Sequence, residues 1–420
     1  MKARFTPALF AHAEAVLGQL LTFDHPADAV VSRYFREHRE LGHADRAFVA
    51  ETVFAVLRRG RSLEARCAGK LSDRARLLAA LAVTRGWSQR ELAPVLKASE
   101  EEWLAAAKSM SDSDFPAAVR CDLPDWLHAR LEAQFGAEET LALATALNQP
   151  APLDLRVNTL KGSREDLLAR LAADGIAAQA GPLSPLAVRL RDKPALAKHP
   201  LFLEGAFEVQ DEGSQLLGFL LEPKRGEMVV DFCAGAGGKT LLLGALMRNT
   251  GRLYAFDVSD KRLVKLKPRL ARSGLSNVHP ARIEHERDTK IKRLAGKADR
   301  VLVDAPCSGL GTLRRNPDLK WRQSAESVAE LTLKQAAILA AAAKLVRPGG
   351  RIVYATCSLL NEENDAIVAA FLAAHPDFVL TPASGVLARA GIELPGDTLR
   401  LLPHRHHTDG FFAAVLDRKS

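Results

Sequence analysis

Cysteine is scarce in this chain of 420 residues. The five present, Cys67, Cys121, Cys233, Cys307 and Cys357, are odd in number and widely spaced. That excludes a disulfide framework, and no two of them form a Cys-x-x-Cys metal pair; no metal is expected. Aromatic residues are also few, at 6%, and none occurs between Gly136 and Leu201. A sheet in that stretch lacks the rings of a base-stacking RNA-recognition surface, so any contact with RNA there would rest on shape and charge. No apolar run approaches the roughly 18 residues that span a bilayer, so no membrane association is expected. The opening Met1-Lys2-Ala3-Arg4-Phe5 runs into a stretch holding His12, Glu14 and Gln19, without the short unbroken apolar core of a secretory signal. A reducing, cytoplasmic setting is the expectation. An acidic excess is missing too: 58 basic residues against 50 acidic ones leave +8, which permits a polyanionic partner without requiring one. With 47% hydrophobic and 26% charged residues, the composition is that of an ordinary globular protein and excludes a disordered chain or a fibrous repeat.

Three textures follow one another. Residues 1–115 read as an all-helical domain. Ala44 to Arg58 sets Phe48, Val49, Val53, Phe54, Val56 and Leu57 near helical spacing, and Ser88 with Glu91 and Ser99 with Glu102 read as capping boxes. Residues 116–205 read as a helical linker from Cys121 to Asn148, broken by Gln149-Pro150-Ala151-Pro152, and then a small α/β module. That module has a strand from Leu153 to Leu160, a helix after Ser163, a turn at Asp174-Gly175 and a strand from Ala187 to Arg191. From 206 to 420 strands and helices alternate. Strands are expected over Met228–Phe232, Arg252–Asp257, Val301–Asp304 and Arg351–Thr356. Helices are expected over Lys239–Met247, Lys261–Ser273 and Ser327–Leu345. Such alternation predicts an α/β, Rossmann-like domain whose parallel sheet binds ligands at the carboxyl ends of its strands.

At the first of those ends stands Asp231-Phe232-Cys233-Ala234-Gly235-Ala236-Gly237-Gly238-Lys239-Thr240. Glycines there let backbone approach a ligand. A P-loop would put its first glycine on Cys233, and a dinucleotide fingerprint would put its third on Thr240, so both templates fail by one residue. A nucleoside with no phosphate to cradle, such as S-adenosylmethionine, tolerates the loop. It calls for an acid at the end of the next strand, where Asp257 stands. A turn that merely joins strand to helix is the bland alternative.

Two further strand ends carry cysteine, in Asp304-Ala305-Pro306-Cys307-Ser308-Gly309 and in Thr356-Cys357-Ser358. A lone core cysteine is usually a small hydrophobe. Two at ligand-binding strand ends suit methyl transfer to C5 of a pyrimidine. A thiolate adding to C6 turns the ring into an enamine whose C5 attacks the methyl sulfonium. A carboxyl near N3 eases the charge developing on the ring, and Asp304 is the candidate. An amino-directed methyltransferase would carry Asp/Asn-Pro-Pro-Tyr/Phe here instead. Spacing leaves open which thiol is the nucleophile. Cys67 and Cys121 read as packing residues, and Cys233 is ambiguous.

At these residues the chain resembles the RsmB/Nop/Sun family of RNA cytosine-C5 methyltransferases. The resemblance also runs through Arg156-Val157-Asn158-Thr159-Leu160-Lys161, Val209 to Leu216, Arg314 to Trp321, Glu362-Glu363-Asn364 and Asp409-Gly410-Phe411-Phe412. The N-terminal helices, with Asp45-Arg46 and Val53 to Arg59, are similar to the NusB-like domain of the bacterial rRNA branch, and the small module implies an RRM-like fold. The resemblance implies that Cys357 is the nucleophile and that Cys307 assists product release. It implies that Cys233, Ala234, Gly235, Ala236, Gly237, Gly238 and Lys239, with Asp257 and Asp304, line an S-adenosylmethionine pocket. An acid contacting the adenine region is sought among Glu284, Glu286 and Asp288, with Asp288 favoured because Asp288-Thr289-Lys290 sits most like the usual Asp-Ala-Arg. RNA, chiefly rRNA, is the expected substrate and a monomer the expected state. An RNA-binding assembly factor with a vestigial pocket is the alternative.

The charge pattern adds two expectations. Lys261, Arg262, Lys265, Lys267, Arg269 and Arg272 crowd one predicted helix, followed by Arg287 to Arg300 and then Arg314, Arg315, Lys320 and Arg322. These read either as solvated faces or as contacts to RNA backbone. His404, His406 and His407 lack regular ligand spacing and read as a solvated loop.

Overall fold

The computed structural model describes residues 5–67 and 69–420. Residues 1–4, part of the N-terminal stretch read above, lie outside them. The chain divides into two compact units, 1–150 with 312–325, and 151–311 with 326–420.

The first unit is helical. Pro7–Leu20 opens with the Thr6 hydroxyl accepting from the Leu9 amide and with proline at the first helical position, where a missing N–H costs nothing. This helix, Ala27–Glu37 and His43–Arg58 close over a core that includes Phe10, Leu17, Val49, Val53, Leu57 and Leu81. The capping box at Ser88 and Glu91 is present. The one expected at Ser99 is not. That helix runs Ala98–Ser109, and its cap falls two residues earlier, where the Glu100 carboxylate accepts the Lys97 amide at 2.9 Å. Glu100 is anchored there by Arg74, at 2.7 and 2.8 Å.

Helices Asp125–Phe135 and Ala137–Leu147 join this unit, as does the segment 312–325 that leaves the Cys307 loop. Lys320, 1% exposed, donates to the Arg58 carbonyl at 2.7 Å and to Asn148 Oδ1 at 3.0 Å. Trp321 Nε1 donates to the Leu57 carbonyl at 2.9 Å. The boundary expected at residue 115 therefore falls inside a unit, because Asp122 and Asn148 are tied into the same helical core. Among the described residues no helix is long and apolar enough to cross a membrane.

The second unit holds two sheets. Strands β1 (Leu153–Val157), β2 (Ala178–Ala180), β3 (Ala187–Leu190) and β4 (Phe207–Val209) pair antiparallel in the order β2-β3-β1-β4, with helix Arg164–Ala173 following β1. This is a ferredoxin-like module, the small α/β fold expected. Strand β1 stops at Val157 because Asn158 turns the chain: its side-chain oxygen accepts the Leu160 amide and its carbonyl accepts the Lys161 amide.

The large sheet consists of β5 (Met228–Asp231), β6 (Arg252–Asp257), β7 (Val278–Arg282), β8 (Ala298–Asp304), β9 (Val346–Thr356), β10 (Phe378–Thr381), β11 (Leu399–Leu401) and β12 (Phe411–Arg418). Their order is β10-β12-β9-β8-β5-β6-β7, with β11 on β12. From β9 to β7 the pairing is parallel, which makes this the Rossmann-like domain expected. Strand β7 escaped the pattern because it lies at the edge and carries Pro280, which a central strand would not tolerate. Arg347 to Gly350 are drawn into β9 as a bulge, with Asp299 alone opposite those residues.

The strand order reverses between β5 and β8, its neighbours on either side running onward in opposite directions. The loops leaving these two strands must diverge, and the crevice they open is where such sheets bind ligands.

Candidate active site

That crevice is a cavity of about 950 Å³, toward the upper end of the range for small-molecule sites. Its walls come from the carboxyl ends of the parallel strands. The loop after β5 contributes Cys233, Ala234, Gly235, Ala236, Gly238 and Lys239, β6 ends in Asp257, and β8 ends in Asp304 and leads to Cys307. Cys357, just beyond β9, completes them. Of the expected site residues, only Gly237 and Asp288 are not on the wall.

Gly237 faces the other way. At φ +85° a Cβ would lie 2.1 Å from Leu266 Cδ1, so this glycine lets helix Asp260–Ser273 close against the loop. Asp288 caps the short helix Thr289–Lys292, accepting the amides of Lys290 at 2.8 Å and Glu284 at 2.9 Å, which hold its carboxyl below the ordinary range. Glu284 and Glu286, the alternatives to it, stand on the cavity wall.

Asp257 is 4% exposed, and its oxygens accept the amides of Gly235 and Ser259, each at 2.8 Å. A carboxylate has about four acceptor positions, so two amides orient it and leave room for a ligand's hydroxyls. Gly235, at φ +57° and open on its Cβ side, lets the backbone line the cavity. Burial alone would lower the Lys239 pKa. The Asp304 carboxylate, 2.7 Å from its ammonium, together with Cys357 and Asp231, outweighs burial and holds it above the ordinary value. Asp231, fully buried behind the loop, is pushed up to about 7 by burial, partly offset by the Thr240 hydroxyl it accepts at 2.7 Å. Burial and the surrounding Asp304, Asp231 and Asp257 raise the Cys233 thiol well above its usual range, so Cys233 remains a neutral wall residue at neutral pH.

The thiols of Cys307 and Cys357, 50 residues apart in the chain, stand 3.4 Å apart. The hydrogen bond to Cys357, then burial, raise the Cys307 pKa well above its ordinary value. At that separation one sulfur can donate a hydrogen bond to the other. Behind them lies Gly311, whose amide donates to the Cys357 carbonyl at 2.8 Å and whose carbonyl accepts the Gly410 amide at 2.8 Å.

Sequence reasoning missed the residues that brace the walls. Arg156 donates to the Gly238 carbonyl at 2.7 Å and to Gln210, so the ferredoxin-like module anchors the start of the helix after the Gly-rich loop. Arg269 and Arg272, read as either solvated or in contact with RNA backbone, instead pair with the buried Glu208, and Arg269 also donates to the Ala236 carbonyl at 2.7 Å. The periodicity of a charged helix does not separate such inward arginines from solvated ones. At the C-terminal histidine tract, His406 Nδ1 lies 3.0 Å from the Leu402 amide, and burial lowers its pKa.

A doubly wound sheet with a Gly-rich loop that matches no phosphate-binding template, an acid on the next strand end and two thiols on the same cavity wall fits a methyltransferase that uses S-adenosylmethionine, as the comparisons show. The family described as 16S rRNA methyltransferase RsmB/F matches residues 218–417, and the ferredoxin-like domain of the RsmF/B-like methyltransferases matches residues 123–196. A probable ribosomal RNA small subunit methyltransferase B of Synechocystis sp. is 34% identical over 94% of this chain and 96% of its own length. The crystal structure of PH0851 superposes with a TM-score of 0.80 at 28% identity, over 100% of both chains. That of NSun6 from Pyrococcus horikoshii with SFG gives 0.63 at 25% identity, over 71% of this chain and 98% of that one. The chain belongs to the RsmB/F methyltransferase family.

Proposed function

We propose that this enzyme forms 5-methylcytosine in small-subunit ribosomal RNA through a transient covalent bond between Cys357 and C6 of the target base. The observation that carries this reading is the pair of thiols 3.4 Å apart on the wall of the cofactor cavity. The names of the relatives support rRNA as the substrate. The chain's own +8 charge suits a polyanion, and the helical unit is read as an RNA-binding element.

Bound S-adenosylmethionine supplies an electrophilic methyl group. Asp257 and the 233–239 loop would hold its nucleoside part, with Glu284 or Glu286 toward the base. A target cytidine must leave any stack to reach the cavity. Cys357 attacks C6 as the thiolate, and C5 then takes the methyl. Asp304, oriented by Lys239, accepts from the ring's exocyclic amine, and the Lys239 ammonium offsets negative charge gathering on the ring.

Once the Cys357 sulfur is bonded to carbon, the largest influence that raises the Cys307 pKa is gone. Cys307 can then lose its proton to water and take the proton from C5. The C5–C6 double bond re-forms, Cys357 leaves as thiolate, and one proton is released overall. Cys357→Ala is expected to abolish methyl transfer. Cys307→Ala is expected to accumulate a slow-migrating protein–RNA adduct on a denaturing gel. Bisulfite mapping of rRNA from cells with and without the enzyme should show one cytidine losing protection. No lost protection, together with no adduct from Cys307→Ala, would overturn the proposal and favour a non-catalytic assembly role.

A further inference from the structure

Beneath the two thiols lies a carboxylate to which no role has been given. Glu363 is 0% exposed. One of its oxygens accepts the Ser308 amide at 2.8 Å and Gln335 Nε2 at 2.9 Å. The other accepts the Ser308 hydroxyl at 2.5 Å and the Ser358 hydroxyl. Ser308 directly follows Cys307, and Ser358 directly follows Cys357. Gln335 also donates to the Pro306 carbonyl at 3.0 Å, on the other side of Cys307. The Glu363 backbone carbonyl accepts the Tyr354 hydroxyl at 2.6 Å, which pins the Glu363 loop to β9. Next to it, Asn364 accepts the Thr356 hydroxyl at 2.5 Å and donates to the Ser358 carbonyl at 3.1 Å.

Two cysteine-bearing loops from different strands thus converge on one carboxylate. Four donors fill its acceptor positions, and no cation is among them. A neutral side chain could fill the same space without importing a charge into the core. Burying an unneutralised carboxylate is unfavourable unless its hydrogen bonds compensate. Its charge also acts on the chemistry above. The titratable groups that act on the Cys307 thiol are Cys357, Glu363 and Tyr354, with the Gly309 amide opposing them; Cys233, Asp304, Lys239 and Lys334 stand on the same cavity wall, and Glu363 is among the influences that keep Cys307 protonated.

We propose that Glu363 is a positioning residue for methyl transfer: it clamps the Cys307 and Cys357 loops together through Ser308 and Ser358, and its negative charge assigns the proton of the thiol pair to Cys307. The proposal rests on reading those cysteines as the reacting pair. Both serines act through it, and neither needs to touch substrate.

The test compares wild type with Glu363→Gln, Glu363→Asp and the double variant Ser308→Ala/Ser358→Ala. Site-resolved alkylation by iodoacetamide across pH, read by mass spectrometry, needs neither RNA nor turnover. In Glu363→Gln the Cys307 midpoint should fall by about half a pH unit or more, and kcat should fall about tenfold or more with the KM for S-adenosylmethionine within about twofold. Glu363→Asp keeps the charge but shortens the reach, so the midpoint should stay while kcat falls. The serine double variant should likewise lose kcat and keep the midpoint. An unmoved midpoint in Glu363→Gln would overturn the charge assignment, and unchanged kcat in the serine double variant would overturn the clamp. If Glu363→Gln fails to fold, Glu363→Ala, which also removes the charge, reads the Cys307 midpoint in its place, and the serine double variant still decides the clamp. Methyl transfer surviving in Cys357→Ala would instead refute the two-thiol reading, whatever Glu363 does.

Discussion

Lys320 offers a sharp test of the electrostatics inside the helical unit. Its ammonium is buried, and burial, against the opposing attraction of Asp122, lowers its pKa from 10.5 to about 7. In the unfolded chain it titrates near its ordinary value. Between those values the unfolded state holds a proton that the folded state has lost, so stability rises with pH. Each pH unit is worth about 1.4 kcal/mol at full effect. From pH 7 to pH 9 the gain is about 2.7 kcal/mol at most, or roughly 5–10 °C in midpoint for a unit of this size. Above pH 9 the buried thiols of Cys67 and Cys121, pushed up to about 11, work the other way, because the unfolded chain ionises them first. The window is therefore pH 7 to 9.

The assay is specific to the unit, since the four tryptophans, Trp87, Trp103, Trp126 and Trp321, all lie within 1–150 and 312–325. Thermal unfolding followed by tryptophan fluorescence should give a rising midpoint in wild type and a flat one in Lys320→Met. The substitution also removes donors to the Arg58 carbonyl and Asn148, so the absolute midpoints of the two proteins can differ in either direction. Equal slopes in both proteins from pH 7 to 9 would refute the reasoning.

Two glycines extend the predictions. Gly237→Ala forces a Cβ onto Leu266 at a left-handed φ, so the loop must shift. A loss of about 1–3 kcal/mol in stability, with weaker S-adenosylmethionine binding by calorimetry, is expected, and unchanged affinity would count against the packing account of this glycine. Gly311→Ala brings a Cβ within 2.3 Å of the Gly410 carbonyl oxygen and 2.8 Å of the Cys357 carbonyl oxygen. Displacing the Cys357 backbone by about 1 Å should lower single-turnover methylation by about a hundredfold while leaving cofactor affinity intact. Equal losses in rate and affinity would point to general unfolding instead.

Local patterns made the architecture legible. Alternating strands and helices after residue 206, the Gly-rich loop and the acid at Asp257 depend on neighbours in sequence, so they could be read along the chain. Edge strand β7 could not, because its tolerance for Pro280 comes from its place in the sheet. Nor could the division into units, in which 312–325 leaves one fold to join another. The charges were legible only as charges: Arg269 and Arg272 looked like their solvated neighbours until Glu208 came across from β4 to meet them.

The same boundary runs through the site. The residue types for thiol chemistry beside a cofactor were set by the sequence, as was the placement of Cys307 and Cys357 after strands. Their separation of 3.4 Å was not, because it depends on β8 and β9 pairing in parallel and on Gly311, Gly410 and Glu363 closing the space behind them. A motif specifies which atoms are present within a few residues. The proton shared by two sulfurs 50 positions apart, and the carboxylate that biases it, depend on distances and burial that only the packed sheet creates.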